Sequence, residues 1–190
     1  MSKLSLPLKI VSILTLGLLL YSCNPIENDS DSSSFIVVES IMGKDLSGND
    51  STVAFSDVSS GLPDSVTATL RSALLDPNPI NGASQYSDIM LTRYVVTYTR
   101  SDGATGEGSD VPYHFEASLS TLLPVGSSVT LPLLIVTDTA KGQAPLAALT
   151  GTSNVLDCTA RIDFYGHDLR NKTVTQVASI QIRFLDFPNL

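Results

Sequence analysis

Residues 66–70, Val-Thr-Ala-Thr-Leu, alternate apolar and polar side chains, and from Phe35 onward the chain repeats this period of two in short runs. A strand sends successive side chains to opposite faces, whereas a helix needs apolar residues three and four apart. Phe35–Ile41 is a β-branched run closed by the turn-rich stretch GKDLSGNDS, and Val53–Phe55 follows it. Asp76-Pro77-Asn78-Pro79 and Asn81-Gly82 then interrupt the chain. Ile89–Arg100 carries Met90, Tyr94, Val96 and Tyr98 on one face and Ile89, Leu91 and Val95 on the other, which predicts a strand inside a sheet. Val111, Tyr113, Phe115, Ala117 and Leu119 alternate with Pro112, His114, Glu116 and Ser118. Val129–Thr137 is a further strand, with Pro132 marking an edge or a bulge. Val155–Tyr165 and Val174–Phe187 flank HDLRNKT as a closing hairpin, and Ala144–Leu149 is the one expected helix. Seven to nine strands with Gly, Pro and Asn turns predict an all-β fold, a two-sheet antiparallel sandwich. A closed barrel is the alternative, since both hide sheet edges.

The stretch from Arg93 through Tyr98 to Gly103 resembles the C strand and following turn of fibronectin type III and related immunoglobulin-like domains. Cys158–Gly166 followed by Val174–Phe184 resembles their F–G hairpin. The resemblance covers residues 35–187 and implies an immunoglobulin-like β-sandwich, here without Trp and without an intersheet cysteine pair.

The amino end carries a different message. Lys3 and Lys9 form a basic region, and Ile10–Tyr21 an apolar stretch of 12 residues, short of the ~20 that a membrane-spanning helix needs. Leu20-Tyr21-Ser22-Cys23 follows at the spacing of a signal-peptide cleavage site. It resembles the lipobox of bacterial lipoproteins, which implies acylation of the Cys23 thiol and cleavage before it. Asn24 is not the aspartate that retains lipoproteins in the inner membrane, so the resemblance implies the outer membrane if the host is Gram-negative. The chain therefore divides into a signal peptide at 1–22, a lipidated Cys23 with a flexible acidic and Ser-rich linker to residue 34, and a sandwich domain at 35–190.

Among the 190 residues, 43% apolar, 11 basic side chains face 19 acidic ones, a net charge of −8. One core is affordable, and an acidic surface repels phosphate backbones, so nucleic acid is not an expected partner. The expected partners are the membrane, through the lipid on Cys23, and a protein of the envelope.

Candidate chemistry is sparse. Cys158 shares a strand face with Leu156, Ala160, Ile162 and Phe164, and is expected as a small buried hydrophobe. His114 with Glu116, and His167 with Asp168, are expected as surface and turn residues, because no Cys/His cluster completes a zinc set. G-x-S-x-G, Walker A and H-E-x-x-H motifs are absent from the sequence, which points to a non-enzymatic protein needing no cofactor. Asp45 and Asp50, and Asp102 and Asp110, are the weak calcium candidates, set against a simpler role as turn residues. Gly43-Lys-Asp45-Leu-Ser-Gly-Asn49 echoes Gly166-His-Asp168-Leu-Arg-Asn171, consistent with two turns closed by an Asp side chain. Tyr94 and Tyr98 are expected in the core rather than as a sugar platform. The functional expectation is a membrane-anchored, non-catalytic structural or protein-interaction module. A small-ligand, glycan or calcium-dependent binding module at the sandwich loops is the alternative.

Overall fold

A computed structural model describes residues 32–80 and 82–187. The signal peptide, Cys23 and the linker up to residue 31 lie outside the described residues. The strands are β1 (Ser34–Lys44), β2 (Asp50–Ser51), β3 (Val53–Asp57), β4 (Asp64–Leu74), β5 (Ile89–Arg100), β6 (Phe115–Leu123), β7 (Ser128–Val136), β8 (Leu156–Asp168) and β9 (Thr173–Leu185). They form two sheets, ordered β2-β1-β4-β7 and β3-β9-β8-β5-β6. The fold is an all-β two-sheet sandwich, and the barrel alternative falls away because the sheets are separate. Lettered in chain order, β1, β4 and β7 stand as A, B and E, and β6, β5, β8 and β9 as C′, C, F and G, the immunoglobulin-like arrangement.

One pairing departs from the antiparallel expectation: β3 runs parallel to β9, from Val53 opposite Gln181 to Asp57 opposite Leu185. The chain leaves the first sheet after β2 and joins the second beside its last strand. Such a parallel neighbour requires a long connection, and nearly the whole domain intervenes. The crossing is tight at Gly43, where a Cβ would lie 2.5 Å from that of Ala54, so only a hydrogen fits.

Burial follows the alternation, with one phase change. In β5 the core face is Ile89, Leu91, Tyr94, Val96 and Tyr98. Strict alternation had put Met90 with the tyrosines and Leu91 opposite them. Register shifts between Leu91 and Arg93 occur against both neighbours; the one against β8 leaves an extra residue in β5, and the core phase moves from odd to even numbers. Gly166 lies opposite this bulge, where a Cβ would collide with the Met90 carbonyl oxygen. The middle of the core is filled by Phe164 and Phe184, both fully buried. Tyr98 meets Phe184 edge-on, with ring centroids 6.2 Å apart. The phenols of Tyr94 and Tyr98 donate to the Leu134 and Ile135 carbonyls, tying one sheet to β7 of the other.

Other expectations shift at their edges. Pro132 does sit on an edge strand, β7. The expected helix is only a 3₁₀ turn at Leu146–Leu149, and an unanticipated helical turn, Asp138–Lys141, precedes it. Thr137 caps that turn by accepting from the Ala140 amide at 3.1 Å. The strand read from Val111 begins only at Phe115, leaving Tyr113 exposed. The serines assigned to the end of the linker are fixed to the domain. Ser34 opens β1 and is buried, and Ser32 and Ser33 hydrogen-bond into the domain.

Candidate functional site

The turn aspartates show what their spacing does. Asp45 Oδ1 accepts from the amides of Ser47 and Asn49, both at 2.8 Å, and the Asp45 amide donates to the Asn49 carbonyl. Asp168 Oδ1 accepts from the amides of Arg170 and Lys172, both at 2.9 Å, and its own amide donates to the Lys172 carbonyl. Position four of each turn is left-handed, Gly48 at φ 82° and Asn171 at φ 68°. The sequence echo is therefore one hairpin turn used twice.

The four calcium candidates have other engagements. Asp45 closes its turn, and Asp50 pairs with Lys44 at 2.7 Å. Asp102 and Asp110 both pair with the guanidinium of Arg100. The Arg100 hydrogen bond holds the Asp102 carboxyl down to about 2, helped by the Ala104 amide. Among the described residues there is no grouping of three His, Cys, Asp or Glu side chains with metal-site geometry.

His114 lies just before β6 and bonds Glu107 through Nδ1 at 2.7 Å, while its supposed neighbour Glu116 pairs with Arg93. The pairing read from alternation is replaced because His114 is not in the strand. His167 Nδ1 bonds the Asp168 main-chain carbonyl at 2.9 Å. Cys158 is buried, as its strand phase required, and burial with the nearby Asp157 charge raises its thiol to about 11. It borders a cleft of 370 Å³ lined by Phe55, Ser101, Asp157 and Arg183 among others. The Asp157–Arg183 ion pair, 2.6 Å long, spans one side of this cleft.

Sequence reasoning missed two buried polar centres. Lys141, 3% exposed, places Nζ 2.9 Å from Asp64, 2.7 Å from the Asp57 carbonyl and 2.9 Å from Ser60 Oγ. It joins the β3–β4 corner to the segment between β7 and β8, and no local pattern marks it. The second is a serine cluster at the start of the domain. Ser32 Oγ donates to Asp168 Oδ2 at 2.8 Å, Ser34 Oγ to the Ser87 carbonyl at 2.7 Å, and Ser33 Oγ lies 3.0 Å from Ser87 Oγ. Burial alone would raise the Asp168 pKa, but donation from Lys172, Ser32 and Arg170 outweighs it and the net shift is downward. The Asp-turn echo was the available signal for Asp168; Ser32–Ser34 read as linker because serine runs carry no apolar period.

Among the described residues the sheets end on β2 and β7 and on β3 and β6. Strand β6 pairs with β5 on one side and with no described strand on the other. Its nine residues include one charge, Glu116, and no proline. The segment between β4 and β5 exposes Leu75, Ile80 and Tyr86, the turn after β8 exposes Leu169, and the end of β6 exposes Leu122.

No family model and no curated protein matches the chain. Among solved structures, the Northeast Structural Genomics Consortium target SoR45 aligns at 11% identity and TM-score 0.36, over 84% of this chain and 92% of that one. The sporulation control protein Spo0M from Bacillus subtilis aligns at 10% identity and TM-score 0.30, over 79% of this chain and about half (49%) of its own. Neither similarity is high enough to carry a functional argument, so the fold rests on the strand order of the chain itself.

Proposed function

We propose that the chain is a lipid-anchored protein of the cell envelope whose immunoglobulin-like sandwich acts without catalysis, holding a protein partner. The leader of residues 1–22 is removed, Cys23 carries the acyl chains, and Asn24 favours the outer membrane in a Gram-negative host. Two or three acyl chains anchor stably where one binds only marginally. Without its leader the chain keeps nine basic against 19 acidic residues, a charge of −10 that keeps it off anionic surfaces except through the anchor.

The observation that carries the partner is the β6 edge. Edge strands offer a row of main-chain donors and acceptors, and proteins that leave them unused blunt them with charge or proline. One charge in nine residues is weak protection, and an extended segment of another protein can add there as a further strand.

The test places a photo-crosslinking residue at Ser118, Ser120 or, as control, Arg161, which is exposed on β8 and paired there with both β5 and β9. One partner captured in the native envelope from 118 and 120 but not from 161 is the expected result. Lysine at both edge positions should lower its recovery about ten-fold, a loss of about 1.4 kcal/mol. Equal capture from 161 would reject the edge, and an intact leader or unmodified Cys23 by mass spectrometry would reject the anchor. The small-ligand or glycan reading is favoured by the cleft beside Phe55 alone. It would be preferred if glycans shifted the amide resonances of Phe55 and Arg183 saturably and Phe55→Ala abolished the shift.

A further inference from the structure

We infer that the end of the sandwich where the chain enters β1 docks flat on the lipid bilayer, with Ile80, Leu75, Tyr86 and Leu169 reaching into the interface. The inference rests on the lipid-anchor reading and adds an orientation to it. Ser32, the first described residue, is hydrogen-bonded to Asp168 at the turn between β8 and β9. The Leu75 amide donates to the Ser33 carbonyl, and the Leu169 amide to the Tyr86 carbonyl. The segments after β4 and β8 and the start of β1 thus form one hydrogen-bonded platform. Its segments expose Leu75 (62%), Tyr86 (53%) and Ile80 (fully) between β4 and β5, and Leu169 (43%) in the turn after β8.

Chain length decides which end can face the membrane. Nine residue steps separate Cys23 from Ser32, a reach of about 30 Å even when fully extended. Strand β8, 13 residues long, spans about 40 Å. An anchor at Cys23 therefore cannot lie beneath the far end of the sandwich, whereas the platform is within reach at every tether extension. Tethering also raises the local concentration of the platform at the bilayer, so four apolar side chains need only weak intrinsic affinity to stay seated. The platform carries charges of both signs beside its apolar side chains, Arg170 and Lys172 with Asp76, so the apolar contact carries the docking and salt changes it little.

The chain contains no Trp, so one introduced indole reports alone. The acylated full-length mature protein is reconstituted in phosphatidylcholine vesicles with brominated acyl chains, carrying either Ile80→Trp or Leu62→Trp. Leu62 is 67% exposed, in the segment between β3 and β4 away from the platform. The expected result is blue-shifted, bromine-quenched emission at position 80 and water-like, unquenched emission at 62, unchanged by salt. Serine at Leu75, Tyr86 and Leu169 should reduce the quenching at 80 without lowering the melting temperature. Equal, water-like emission at both positions, with Cys23 acylation verified by mass, would overturn the docking while leaving the anchor intact. A blue shift at 80 without bromine quenching would assign the platform to a second copy and also overturn it. Absence of acyl chains on Cys23 would fell the anchor reading, and the orientation with it.

Discussion

At the scale of single residues, Asp168 concentrates more structure than any other side chain near the start of the domain. It is fully buried, and its two oxygens receive the amides of the closing turn and the hydroxyl of Ser32. Asp168→Ala leaves these donors without their acceptor and should cost about 2 kcal/mol in urea unfolding. The native pKa is depressed, so the contribution is present above the unfolded value of about 3.9 and is lost as pH falls through the lower native value. Asp168→Asn should accordingly unfold with a flatter acid limb than the parent chain, and identical limbs would assign acid lability to other carboxylates. Cys158 gives a second measurement: its buried thiol should ignore a disulfide reagent at pH 8 and react fully in denaturant.

Elements were legible where alternation ran unbroken and hidden where a residue was added or a strand changed sheets. The bounds Ile89–Arg100 could be read directly, yet the core face could not, because one residue inserted relative to β8 near Thr92 leaves no compositional mark while inverting everything before it. The corner held by Lys141 was invisible for another reason: its partners Asp64, Asp57 and Ser60 are some eighty residues away in sequence. Removing the ammonium strands a carboxylate, so Lys141→Ala should cost about 3 kcal/mol by chemical denaturation. Lys141→Met combined with Asp64→Leu should recover most of that loss, since the uncompensated charge disappears with its partner. A double variant no more stable than the single one would show that packing, not charge, holds the corner.

For the whole molecule, the strand order puts the start of β1, the turn after β8 and the segment after β4 in one place, and the orientation inferred for the proposed anchor rests on that convergence. The carboxylates that looked like cation ligands are each engaged by an arginine, a lysine or their own turn, Asp102 and Asp110 sharing Arg100. Millimolar calcium should therefore produce no heat in titration and no change in melting temperature; a saturable heat would restore the calcium-dependent alternative. By itself the sequence determined the strand-rich composition, the turn positions, the burial of Cys158 and the lipobox-like spacing around Cys23, because each of these is set by neighbours within a few residues. The tertiary structure alone decided the parallel β3–β9 pair, the face of β5, the buried Lys141 and the fastening of Ser32 to Asp168. Those depend on which distant backbones meet, and a local period of two carries no information about distant partners.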